Sequence, residues 1–151
     1  MEFQRVLENS CVRPAGDADA VAGVRPKWVV EPTDEAELAR ALAAAGADGL
    51  AVVPRGGGTK LEWGSPPERI DLVFSTLGLN RIPEHAAGDM TVTVQAGCTA
   101  ATLQQHVARR GQRLALDPLW HDRATVGARS RSLRPGGAGL DADGNRAPGG
   151  R

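Results

Sequence analysis

A layered α+β or α/β fold is predicted by three observations on this 151-residue chain. Short apolar runs end at Pro, Gly or Asp, as strands do. Two segments between such runs carry apolar residues at helical spacing. Hydrophobic residues make up 41% of the chain, enough for a packed core. Aromatics are only 3%, with no Tyr, so that core must be built from Leu, Val and Ala.

The elements follow in order. Trp28–Val30 reads as a strand ended by Pro32. Thr33 is a suitable N-cap, and Asp34, Glu35 and Glu37 complement the positive end of a helix dipole. Leu38, Ala41, Leu42 and Ala45 then share a helix face, with Gly46 as its expected stop. Leu50–Pro54 and Ile70–Phe74 read as two further strands. Met90–Gln95 alternates Thr and Gln against Val, the pattern of a half-buried strand. Thr99 is placed to cap a second helix carrying Leu103, His106, Val107 and Arg110, with Gly111 at its end. Leu114–Leu116 reads as a last strand, and Asp117-Pro118 as a turn.

Three organisational units are expected: an N-terminal segment 1–20, a foldable region 21–127 and a tail 128–151. The tail has six Gly and five Arg but only Leu133 and Leu140 as large apolar residues. Composition therefore predicts disorder there. The formal net charge is zero, and without the tail it falls to −3, which argues against a nucleic-acid partner. Arg-Gly tails can bind RNA, but this one has no aromatic on which a base could stack. Cys11 and Cys98 do not make a disulfide framework and read as small hydrophobes. Met1–Ser10 has no apolar h-region, and no stretch approaches the ~20 apolar residues of a membrane span.

The densest chemical signal is Val52-Val53-Pro54-Arg55-Gly56-Gly57-Gly58-Thr59-Lys60. Three glycines after a strand expose backbone N–H groups that can converge on an anion. The loop is not a P-loop, because Thr59 separates Gly58 from Lys60. It is not a Rossmann fingerprint either, since Leu61 stands where a third Gly is required. A plain surface turn is the alternative at this point. Arg55 has two candidate partners, a phosphate or a carboxylate such as Asp71. Trp63, beside the loop, has two readings, cover over a ligand held there or simple packing, and packing is the preferred one. His85, His106 and His121 read as ordinary histidines, two in loops and His106 on a helix face, with no metal-ligand spacing.

The succession of motifs adds to this. V-R-P-K-W-V-V-E-P-T-D-E-A-E-L (24–38), V-V-P-R-G-G-G-T-K (52–60), I-D-L (70–72), V-T-V-Q-A-G (92–97), L-D-P (116–118) and A-T-V-G (124–127) occur in that order. It resembles the FAD-binding domain of the vanillyl-alcohol oxidase / p-cresol methylhydroxylase (PCMH) type over residues 21–127. G-T-K-L-E-W-G-S-P-P (58–67) and E-H-A-A-G-D-M-T-V-T-V-Q-A-G (84–97) are similar to an FAD-binding subunit of glycolate oxidase.

The resemblance implies an N-terminal αβ subdomain of that fold and FAD as cofactor. It gives the pyrophosphate to Arg55, Gly56, Gly57, Gly58 and Thr59, with Lys60 near. It gives a second contact to Asp117, Pro118, Ala124, Thr125, Val126 and Gly127. Some relatives attach flavin through a His at the loop; Thr59 or Lys60 stands there, so non-covalent FAD is expected. Oxidation of a 2-hydroxy acid is implied, with other glycolate oxidase subunits as partners. The implied location is cytoplasmic, or peripheral to the inner membrane through those partners. No catalytic residue is assigned. After Gly127 the sequence departs from the family pattern, which predicts a truncated or frameshifted frame. The alternative function is therefore a non-catalytic remnant with weak or no FAD binding.

Overall fold

The computed structural model describes Phe3, residues 11–115 and residues 118–130. The expected strand end at Leu116, the site residue Asp117 and the tail 131–151 lie outside the described residues.

A four-stranded sheet organises the chain, in the order β1 (Val12–Pro14), β2 (Trp28–Val30), β4 (Leu72–Ser75), β3 (Val52–Arg55). β1 runs antiparallel to β2, while β2, β4 and β3 are parallel. Parallel neighbours need crossovers, and α1 (Glu35–Ala47) supplies the one from β2 to β3. β4 lies between two strands and is buried along its whole length. That is why Leu72-Val73-Phe74 is an unbroken apolar run rather than an alternating one. β3 is an edge strand, where the missing N–H of Pro54 leaves no gap in a central ladder.

Both faces of the sheet are covered. Val30, Leu72 and Phe74 pack on Ala41, Ala44 and Ala45 of α1 and on Phe3. Small alanines let the helix lie close to a sheet whose own side chains are large. On the other face Val29 and Val73 meet Val21 and Ile70, with Val53 and Leu61 at the margin. A second layer holds the hairpin β5 (Glu84–Ala86) and β6 (Thr91–Thr93) with α2 (Ala100–Ala108). Cys98, Leu103 and Val107 form its core, against Val92, Val94 and Val126. Both cysteines are free, and burial pushes the Cys98 thiol pKa up, as befits a packing residue.

Several sequence expectations need correction. Thr33 does not cap α1; Asp34 does, accepting from the Glu37 amide at 2.8 Å. Thr33 instead donates its N–H and hydroxyl to the Glu37 carboxylate. A charged acceptor one residue further on is the better match for the helix N-terminus. Gly46 does not stop the helix, which runs to Ala47 and turns at Gly49, φ 63°. The strands expected at Leu50–Pro54 and Ile70–Phe74 are shifted, and Met90–Gln95 is shortened to Thr91–Thr93. Leu114 and Ala115 form no strand, because the Leu114 amide donates to the Gln104 side chain. β5 has no counterpart among the expected strands, and it places His85 in a strand rather than a loop. Thr99 caps α2 as expected, accepting from the Thr102 amide. α3 (Val126–Ser130) carries past Gly127, where composition places the start of the tail.

Asp71 fixes the entry to β4. Its buried carboxylate accepts from the Ala51 amide at 3.0 Å and pairs with Lys27 and Arg69. The Ala51 hydrogen bond, helped by the two cations, lowers the Asp71 pKa below the ordinary carboxylate value. A lowered folded pKa adds stability above the unfolded value and loses it as the pH falls. Urea unfolding should therefore show wild type more stable than Asp71→Asn at neutral pH. The gap should close as the pH drops through about 4 and below.

Candidate functional site

The glycine loop leaves β3 at the carboxyl end of the parallel strands, the end where open α/β sheets bind ligands. The Thr76 amide donates to the Arg55 carbonyl at 2.8 Å, and the ladder stops there. Among the described residues, none accepts a hydrogen bond from the amides of Gly56, Gly57, Gly58 or Thr59. Gly58 sits at φ 71°, which favours glycine. These residues form one wall of an open cleft of about 570 Å³. A second hollow, of about 410 Å³, lies on the Lys60 side of the loop.

The structure brings the two sequence-predicted segments together. A Cβ on Gly57 would run into the Arg123 carbonyl oxygen, and one on Gly56 into the Thr125 hydroxyl. Both glycines are therefore required by close approach of a second backbone. That backbone is held from behind: Ala124, Val126 and Gly127 donate their amides to Trp120, Cys98 and Ala96. With these amides engaged, the groups that this segment turns to the loop are the Arg123 carbonyl and the Thr125 side chain. Thr125 is fully buried, and among the described residues its Oγ1 has no hydrogen-bond partner. An unpaired buried hydroxyl beside undonated loop amides is a group whose partner the described fold does not supply, and it lies beneath Gly56 rather than on the lining of the cleft.

Arg55 does not pair with Asp71. Its guanidinium, 14% exposed, meets Asp19 Oδ1 at 2.8 Å. Asp71 is taken by Lys27 and Arg69. Asp19 is itself buried and accepts a fork from Arg13 at 2.8 and 3.0 Å, and the Gly16 amide at 2.9 Å. These donors, Arg13 first, hold the Asp19 carboxyl well below the usual carboxylate range. Sequence reasoning misses Arg13 and Asp19, which carry no motif and precede the first segment of the motif succession, 24–38.

The remaining site residues are placed as follows. Thr59 lines both hollows, and the Lys60 ammonium lies 5.1 Å from the Trp63 ring centre. Trp63 is not a packing residue: it is 65% exposed, on the wall of the cleft, because the W-G-S-P-P turn lifts it off the sheet. Trp120, also exposed, stands on the same cleft. Pro118 is half-buried and does not line it. His85 and His106 share a separate groove, with rings 5.2 Å apart, and His121 lies in an exposed turn. No described group of His, Cys, Asp and Glu could hold a metal ion.

The pattern of the family described as FAD binding domain matches residues 26–130. The chain belongs to that family. It is 33% identical over 125 residues to a probable mitochondrial D-2-hydroxyglutarate dehydrogenase of Oryza sativa subsp. indica, covering 76% of this chain and 22% of the relative. It is 30% identical over 115 residues to glycolate oxidase subunit GlcD of Bacillus subtilis (strain 168), covering 76% of this chain and 24% of that protein. The chain thus spans less than a quarter of the length of either relative. Among solved structures, an alkyldihydroxyacetonephosphate synthase superposes with TM-score 0.71 at 20% identity, over 85% of this chain and 28% of that one. BBE-like #28 from Arabidopsis thaliana gives 0.65 at 17%, over 83% and 28%. The mixed sheet with its helices is part of the PCMH-type FAD-binding fold.

The residues fit such a cofactor: the loop amides can donate to pyrophosphate oxygens, and the Thr125 hydroxyl is unspent. Thr125→Val tests this without creating a cavity. Removing an unpaired buried hydroxyl relieves a penalty of about 1–2 kcal/mol in the free protein. The melting temperature without FAD should rise, while FAD affinity falls.

Proposed function

We propose that this chain binds FAD non-covalently at the glycine loop, as part of a flavin-dependent oxidoreductase that oxidises a 2-hydroxy acid. The observation that carries the binding site is the pairing of undonated amides at 56–59 with the buried, unpaired Thr125 hydroxyl. Membership of the FAD-binding domain family identifies the ligand that suits them.

The chain's own residues bind and orient. Backbone amides of Gly56, Gly57, Gly58 and Thr59 meet negative charge with dipoles already fixed by the fold. Lys60 adds a positive charge at the rim, and Thr125 donates from below. Gly57, seated against the Arg123 carbonyl, keeps the loop close to the second segment. When bound, flavin supplies acceptance of a hydride equivalent from the carbon bearing a hydroxyl. Non-covalent attachment is supported by Thr59 and Lys60, which stand where some relatives carry the histidine that attaches flavin. The 2-hydroxy-acid class is supported by the two relatives, whose names carry 2-hydroxyglutarate and glycolate, both 2-hydroxy acids. An FAD-binding component of a glycolate oxidase type enzyme, with electrons leaving through partner subunits, is the form of the proposal that matches the sequence motifs. No described helix is long and apolar enough to cross a membrane. The proposal places the protein in the cytoplasm, or at the inner membrane through those partners.

FAD titration of the purified chain, read by flavin fluorescence and thermal melting, tests the binding. Saturable binding with a raised melting temperature is expected. Gly57→Leu should abolish it, because a side chain there displaces the Arg123 backbone. A cooperatively folded sample that does not bind FAD would overturn the reading in favour of a remnant.

A further inference from the structure

We infer that Asp19, which lies outside the family-matched residues 26–130, is a positioning residue for the cofactor loop, acting through Arg55. The inference rests on the FAD-binding reading of the glycine loop.

Asp19 sits at the end of a short 3-10 turn, Asp17–Asp19, between β1 and β2. Its carboxylate is buried and occupied on both oxygens. Oδ2 takes the Gly16 amide and Arg13 Nη1, and Oδ1 takes Arg13 Nη2 and Arg55 Nη2. The two arginines have different tasks. Arg13 belongs to β1 and is 42% exposed at its side chain, so it ties Asp19 to its own end of the sheet. Arg55 is the last residue of β3 and the residue before Gly56, and its side chain is largely buried. A guanidinium held from its far end restrains the backbone at its near end. That backbone is the hinge from which the loop amides project.

β3 needs such a restraint. It is an edge strand, its ladder ends at the Arg55 carbonyl, and the four residues that follow donate no amide to the described fold. Three of those four are glycines, which hold no conformation by themselves. The loop is therefore clamped at two points, the Arg123–Thr125 backbone on one side and the Asp19–Arg55 pair on the other. The segment around Asp19 also borders the site directly. Ala18, Asp19, Ala20 and Ala22 line the same cleft as the three glycines. Small side chains there leave room beside the loop while that segment's carboxylate is neutralised by its two cations; the cleft's other acid, Glu62, is exposed on the loop side. An unneutralised acid on that wall would repel a pyrophosphate.

The test separates positioning from stability. FAD dissociation constants and melting temperatures are measured in parallel on the full chain for wild type, Arg13→Gln, Arg55→Gln and Arg55→Lys. Arg13→Gln should lower the melting temperature and leave FAD affinity within about twofold, since Arg55 still holds Asp19. Arg55→Gln should weaken FAD binding about tenfold, the scale of one charge-assisted hydrogen bond. Arg55→Lys, which can still reach Asp19 as a point charge, should restore part of that loss. If Arg13→Gln and Arg55→Gln both lower the melting temperature and neither changes FAD affinity, Asp19 is a structural anchor only and the inference fails. If wild type itself binds no FAD, the functional reading fails instead. Circular dichroism confirms that each variant is folded. Should Arg55→Gln not fold, Arg55→Lys alone decides: FAD binding weakened at a melting temperature near wild type supports the inference, and unchanged binding overturns it.

Discussion

The glycine loop can exist only because a second stretch of backbone lies against it. Gly56 and Gly57 leave no room for a Cβ, because the Thr125 hydroxyl and the Arg123 carbonyl already occupy that space. This contact joins two parts of the chain with separate cores. The loop issues from the four-stranded sheet, while residues 123–127 belong with α2 and the β5–β6 layer. The candidate site is thus a seam between two layers, and the cleft runs along it. Larger residues at either glycine would part the layers before they met any ligand.

Polar groups along the seam fall into two sets. One set is fully spent on the fold: Asp19, engaged on both oxygens, joins Arg13 to Arg55. The other set is unspent among the described residues: the amides of 56–59 and the hydroxyl of Thr125. Native folds seldom leave such groups without partners. The division is what marks a binding surface here, more than the size of the cleft. It also assigns Arg55 a bracing role, although a cation beside a glycine loop invites the assumption that it touches phosphate.

Much of this is legible in the sequence for local reasons. The buried run Leu72-Val73-Phe74, the Ala41 and Ala45 contacts of α1 and the Thr99 cap follow from periodicity and capping chemistry, whereas Leu42, expected on that helix face, is exposed and Ala44 is buried instead. The loop itself is legible from three consecutive glycines after a strand, and the order of motifs around it separates it from a plain surface turn. What escapes depends on which partner a side chain or amide actually meets. Asp34 displaces Thr33 as the cap because Glu37 engages Thr33 from within the helix. The strand expected at Leu114 loses its amide to Gln104, a side chain on another element. Arg13 and Asp19 give no periodic or motif signal, and the pairing of Asp19 with Arg55 spans 36 residues. Trp63 reads as a packing residue because large aromatics are usually buried; only the turn that carries it shows otherwise.

The central claim is that the loop amides and the Thr125 segment form one cofactor cradle. Amide hydrogen exchange of the full chain with and without saturating FAD tests it most directly. The account predicts slowed exchange at Gly56, Gly57, Gly58 and Thr59, with smaller protection at residues 123–127, and no change around His85 and His106. Protection confined to the His85–His106 groove, or none at the loop while FAD is bound, would contradict it.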